Sequence, residues 1–139
     1  MRAPHFVRLA EIDDQRFITA CRHGLVHLTW GRTTIRFSRD EFRRLAGLLE
    51  RAIDALPPAS VGDGTLSVTC RLDGDCELRL GVLVLLLSPD EFQELAQAAR
   101  QGVDRLDKIL ASGVWDREES QEPPPSPLDQ LGQVSFSNN

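Results

Sequence analysis

Residues 27–54 read HLTWGRTTIRFSRDEFRRLAGLLERAID, and residues 77–104 read ELRLGVLVLLLSPDEFQELAQAARQGVD. Set fifty residues apart, the two stretches share nine identical positions: Leu28/Leu78, Gly31/Gly81, Ser38/Ser88, Asp40/Asp90, Glu41/Glu91, Phe42/Phe92, Leu45/Leu95, Ala46/Ala96 and Asp54/Asp104. A repeat decides how every element around it is read. Two copies are too few for a solenoid and suit one domain with an internal pseudo-two-fold.

Each copy closes on a helix whose start is legible. Ser38-Arg39-Asp40-Glu41 and Ser88-Pro89-Asp90-Glu91 have the form of a capping box. The Ser hydroxyl accepts from the third helical amide, and the Glu carboxylate accepts from the cap amide. Pro89 falls at the first helical position, where a missing N–H costs nothing. Apolar residues then recur at helical spacing: Phe42, Leu45, Ala46, Leu49, Ala52, Ile53 and Leu56, and later Phe92, Leu95, Ala96, Ala99, Val103, Leu106 and Leu110. Pro57-Pro58 stops the first helix and Gly113 caps the second.

Working outward, three short strands precede each helix, at 16–22, 25–30 and 33–37 and at 65–72, 76–80 and 82–87, joined by Gly-containing turns. A further strand spans 5–12. The expected fold class is α+β: internally duplicated βββα units forming an antiparallel sheet with two helices packed on one face, plus an extra N-terminal strand. Copy one covers 16–56 and copy two 65–113, within a single domain of residues 1–115. Residues 116–139, DREESQEPPPSPLDQLGQVSFSNN, are acidic and Pro-rich and are expected to form a disordered tail.

Alternation assigns the faces. A two-residue turn at His23-Gly24 pairs Cys21 with Val26 and Thr19 with Leu28, so the helix-facing side of copy one carries Phe17, Thr19, Cys21, Val26, Leu28, Trp30, Thr33, Ile35 and Phe37. A three-residue loop in copy two gives Leu66, Val68, Cys70, Leu72, Cys76, Leu78, Leu80, Leu83, Leu85 and Leu87. The open face then carries Arg16, Ile18, Ala20, Arg22, His27, Thr29, Thr34 and Arg36 in copy one, and Ser67, Thr69, Arg71, Glu77, Arg79, Val84 and Leu86 in copy two. Such a face is normally polar. Val82, Val84 and Leu86 make an apolar spot on it, and Arg16, Arg22, Arg36 and Arg79 a rim, the composition of a protein interface. The alternative is that strand 82–87 runs centrally and its long neighbours cover it.

Composition sets the function classes. At 139 residues, 41% hydrophobic and 27% charged, the chain is an ordinary globular domain, not a fibre or a disulfide miniprotein. The net charge of −5 argues against general nucleic-acid binding. Residues 1–56 are locally basic, with ten Arg against seven acids. A second reading is therefore recognition of an anionic ligand or nucleic acid by Arg16, Arg22, His27, Arg32, Arg36 and Arg79, against which stands the lack of stacking aromatics on the expected face. A third is a small metal-binding protein or enzyme using Cys21, His23 and His27, which are zinc-type ligands. The hairpin register puts His27 opposite the other two. Cys70 and Cys76 read as small buried hydrophobes. Capping accounts for Asp40, Glu41, Asp90 and Glu91, and no Ser/His/Asp set, phosphate loop or HExxH occurs. No catalysis and no cofactor are expected. The longest apolar run, Val82 to Leu87, is far short of the ~20 residues of a membrane helix. The opening MRAPHFVRLAEIDD has no apolar signal-peptide core, so the expected setting is cytoplasmic without membrane insertion. The reading that best joins these features is a non-catalytic protein-binding or accessory subunit. It docks or dimerises through the open sheet face, with the C-terminal tail as tether.

Overall fold

The computed structural model describes residues 5–115, so the expected tail at 116–139 lies outside the described residues. The chain runs β1 (Phe6–Asp13), β2 (Arg16–Cys21), β3 (Leu25–Trp30), β4 (Thr33–Ser38) and α1 (Arg39–Asp54), then β5 (Ala59–Gly62), β6 (Leu66–Cys70), β7 (Cys76–Leu80), β8 (Leu83–Leu87) and α2 (Pro89–Ser112). The class is α+β, and each half is four strands followed by a helix. β5 has no counterpart in the expected βββα copy. It is four residues of small side chains after Pro57-Pro58, too short and too weakly patterned to read as a strand.

The strands form two four-stranded antiparallel sheets, β1-β2-β3-β4 and β5-β6-β7-β8, where the sequence suggested one. The helices explain the division. Both capping boxes are closed: Glu41 N donates to Ser38 Oγ at 3.1 Å and Ser38 N to Glu41 Oε1 at 2.8 Å, and Ser88 and Glu91 do the same at 3.2 and 3.0 Å. Accepting that amide also holds the Glu41 carboxyl below its ordinary pKa. With no linker before it, the 16-residue α1, about 24 Å long, carries the chain from the end of β4 to the second sheet. It packs on β5 and β6 of the second sheet as well as on β3 and β4, whereas α2 returns chiefly to β1 and β2 of the first. The halves thus exchange helices around one core.

That exchange broadens the buried side of each helix. Leu48, Ala98 and Gly102 are buried although the simple stripe omits them, while Ile53 and Leu56, placed on the stripe, are exposed. At Gly102 a Cβ would stand 2.9 Å from Cζ of Phe42, so the missing side chain lets the α1 ring seat against α2. Gly113 ends α2 in the left-handed conformation at φ 69°.

The registers correct the face assignment in copy one. β2 pairs Ala20 with Val26 and Ile18 with Leu28, one residue out of step with the expected pairing. The connection is three residues, Arg22-His23-Gly24, with Gly24 at φ 101° and its amide bonded to the Cys21 carbonyl at 3.2 Å. A one-residue slip exchanges the two faces of a strand. Ile18 and Ala20 are therefore core, and Phe17 and Thr19 face out. Copy two keeps its expected parity, since Cys70 pairs with Cys76 and Val68 with Leu78. Only Leu72, in the connection, is exposed instead of buried. Among the described residues no helix is long and apolar enough to cross a membrane.

Candidate functional site

Among the described residues β8 is an edge strand, hydrogen-bonded to β7 on one side and to no strand on the other. The alternative of a central, covered strand is thereby corrected. Its outward residues lie in the open: Val84 is 36% exposed, Leu86 68%, and Val82, in the turn, fully so. The segment Gly81–Leu87 contains no charged residue, and Gly81, at φ 64°, opens a two-residue turn that suits a hairpin. Charge enters from β7, where Arg79 lies opposite Val84 and Glu77 opposite Leu86. Arg79 Nη2 and Glu77 Oε1 are 3.6 Å apart. Further across, Ser60 Oγ and Thr69 Oγ1 are within 3.2 Å. The outer side of the second sheet thus grades from hydroxyls through one charge pair to a bare apolar margin.

The other expected rim residues do not join this margin. Arg16, Arg22 and Arg36 all belong to the first sheet or its turn. Arg16 is held by Asp13 at 2.7 Å and Glu94 at 3.5 Å, with its guanidinium 5.1 Å from the Trp30 ring centroid. Arg22 is 2% exposed, its amide on the His5 carbonyl and its own carbonyl accepting from Arg39. The three-residue connection takes it out of the alternation that placed it on the open face. Arg36 is exposed on β4, opposite His27.

The zinc-type trio is likewise not assembled. Cys21 is buried, with its sulfur accepting from the His23 amide at 3.3 Å, whereas His23 is exposed and stacks on His5 at 6.1 Å. His27 lies on the outer face, edge-on to Phe6 at 5.9 Å. Burial, and then the charge of Arg36, lower its pKa and favour the neutral ring. Among the described residues no group of three or more His, Cys, Asp or Glu could hold a metal. Cys70 and Cys76 do meet, sulfur to sulfur at 2.9 Å across the β6–β7 pair. Burial and the Cys70 thiol push the Cys76 pKa up to about 12, so the Cys76 thiol is protonated and unreactive.

The first sheet carries an outward cluster that the sequence did not reveal. The Arg8 guanidinium sits 3.9 Å over the Phe17 ring and donates to Glu11 at 2.7 Å. Thr19, His27 and Arg36 follow on the neighbouring row. The missing signal was the pair of register shifts in β1, between Arg8 and Ala10 and between Glu11 and Asp13, which break its alternation. A groove of about 540 Å³ between α1 and the β5–β6 turn is lined by Arg44, Leu48, Arg51 and Asp63 among others. Arg44 is engaged there by Asp63 at 3.1 Å. Comparison with known proteins finds no matching family model, no matching curated protein and no matching solved structure.

Proposed function

We propose that the chain is a non-catalytic protein-binding or accessory subunit that docks through the outer face and free edge of the second sheet, with residues 116–139 as its tether. The observation that carries this reading is the coincidence of Val82, Val84 and Leu86 with a strand edge that is unpaired among the described residues. Natural sheets blunt such edges with charge, proline or a covering element, and β8 has none of the first two. An exposed apolar strip beside a free ladder offers a partner both main-chain hydrogen bonds and side-chain burial. A cytoplasmic setting belongs to the same proposal.

The test is affinity purification from the native host with the full chain and with a Val84→Glu/Leu86→Glu variant, the two samples matched in folding by circular dichroism. The expected result is a specific partner set kept by the parent chain and lost by the variant. An identical set in both removes the reading.

A second reading is favoured by Phe17 beneath Arg8, with Phe6, His27 and Arg36 nearby on the first sheet. Open aromatic and cationic side chains on one sheet are the chemistry of single-stranded nucleic-acid binding. The acidic net charge, the Glu11 partner of Arg8 and the lowered pKa of His27 weigh against it. Binding of a fluorescent oligonucleotide that weakens steeply with salt would favour this reading.

A further inference from the structure

We infer that the partner of the β8 edge is a second copy of this chain, paired antiparallel β8 to β8 about a two-fold axis at Leu85. This rests on the docking reading above and adds the occupant and its register. In the β7–β8 hairpin, Leu80 and Leu83 close the two-residue turn. Leu83, Leu85 and Leu87 therefore direct their amides and carbonyls to β7, and Val84 and Leu86 direct theirs to the free edge. Those same two residues point their side chains outward. An axis at Leu85 sets Val84 against Leu86 of the other copy, so both residues exchange main-chain bonds and their side chains form two like-natured apolar pairs. The hydrogen-bonding parity and the outward parity are met together.

Charge selects this register over its neighbours. On β7, Glu77 backs Leu86 and Arg79 backs Val84. With the axis at Leu85, each row across the joint reads Glu77, Leu86, then Val84 and Arg79 of the second copy, with opposite charges at its two ends. The four charges alternate in sign around the four apolar side chains. With the axis at Val84, the central row would instead end in two Arg79 side chains, and with the axis at Leu86 in two Glu77 side chains. Like charges on one row disfavour both. Slipping by a single residue would turn the Leu83 and Leu85 side chains to the solvent side of the joined strand. The paired segments are five residues long, so the association is weak and concentration-dependent compared with a standard interface.

Sedimentation of the full chain over a range of concentrations tests this, alongside Leu86→Glu, Val84→Lys, Glu77→Arg and the double variant Glu77→Arg/Arg79→Glu. The expected result is a monomer–dimer equilibrium for the parent chain. Either single charge on β8 weakens it by on the order of 100-fold, because each copy then sets a charge among the apolar side chains of the joint in place of an apolar pair. Glu77→Arg weakens it less, and the double variant restores it. Two β8 variants are included so that loss of folding in one leaves the other to decide. A parent chain that stays monomeric at every concentration overturns the proposal, as does a dimer indifferent to both β8 variants. A dimer that Leu86→Glu dissolves but that ignores the Glu77 and Arg79 changes overturns the register. A monomeric parent whose native partner set still depends on Val84 and Leu86 overturns the second copy alone and leaves the docking reading standing. If that partner set is also unchanged, both fall.

Discussion

Phe42→Ala and Ile53→Ala separate the structure from the helical stripe that the sequence displays, because both positions lie on that stripe. The Phe42 side chain is completely buried and its ring tip reaches the α2 backbone at Gly102, beside Leu9 of β1. It therefore joins α1 to the helix that covers the first sheet. Truncation leaves a cavity that three elements line, and removal of a buried Phe costs about 3–5 kcal/mol. A domain of this size has only about 5–15 kcal/mol in total, so at least about a fifth of it is at stake. Ile53 is 43% exposed, and its truncation forfeits about 1 kcal/mol of partial burial. Urea unfolding followed by the fluorescence of buried Trp115 reads both. With a slope of about 1–3 kcal/mol per molar urea, the Phe42→Ala midpoint should fall by roughly 1–5 M and that of Ile53→Ala by roughly 0.3–1 M. Equal midpoints for the two variants would refute the exchanged-helix packing.

Gly102→Val should destabilise more than Gly47→Val in the same assay, since a side chain at Gly102 meets Phe42 and Leu9, whereas one at Gly47 meets open space. Asp63 accepts from the Thr65 amide and hydroxyl and the Leu66 amide, which hold its pKa near 2. A folded pKa depressed below the unfolded value of about 3.9 stabilises above pH 4 and loses that contribution as pH falls toward 2. Asp63→Ala should therefore flatten the stability–pH curve between those limits, and an NMR titration should find the Asp63 carboxylate still ionised at pH 3. Cys76 shifts the other way, its pKa raised to about 12 by burial and the neighbouring Cys70 thiol. The neutral thiol stabilises below the ordinary thiol pKa, and that contribution disappears as pH climbs from about 9 to 12. Iodoacetamide at pH 8 should leave Cys76 unmodified in the folded chain and alkylate it in denaturant, as read by mass spectrometry.

What the sequence displays well are features whose cause is local. The capping boxes at Ser38 and Ser88, the Gly113 terminus and the two-residue turn after Trp30 depend on neighbouring residues alone, and each stands where the sequence puts it; the turn at Gly81 also takes in Val82, which the sequence reading assigns to the strand. The inward set of copy two, Val68, Cys70, Cys76, Leu78 and Leu87, is also legible because its alternation is unbroken. The division into two sheets is not, because it depends on where a helix lands after crossing the molecule. The slip in β2 is hidden by a turn that admits two or three residues, and Ile18 competes with Phe17 for the core on nearly equal hydrophobicity. For the candidate site, Val82, Val84 and Leu86 are readable as outward apolar residues. That β8 is an edge requires the strand order, and the scattering of Arg16, Arg22 and Arg36 away from it requires the register of another hairpin.

Amide exchange along β8, measured by NMR at several protein concentrations, bears most directly on the free edge. Leu83 and Leu85 amides should be protected throughout. Those of Val84 and Leu86 should exchange freely in dilute solution and gain protection as concentration rises. Val84 and Leu86 amides as slow as Leu85 at the lowest concentration would mean that the chain covers its own edge and that β8 offers no docking surface.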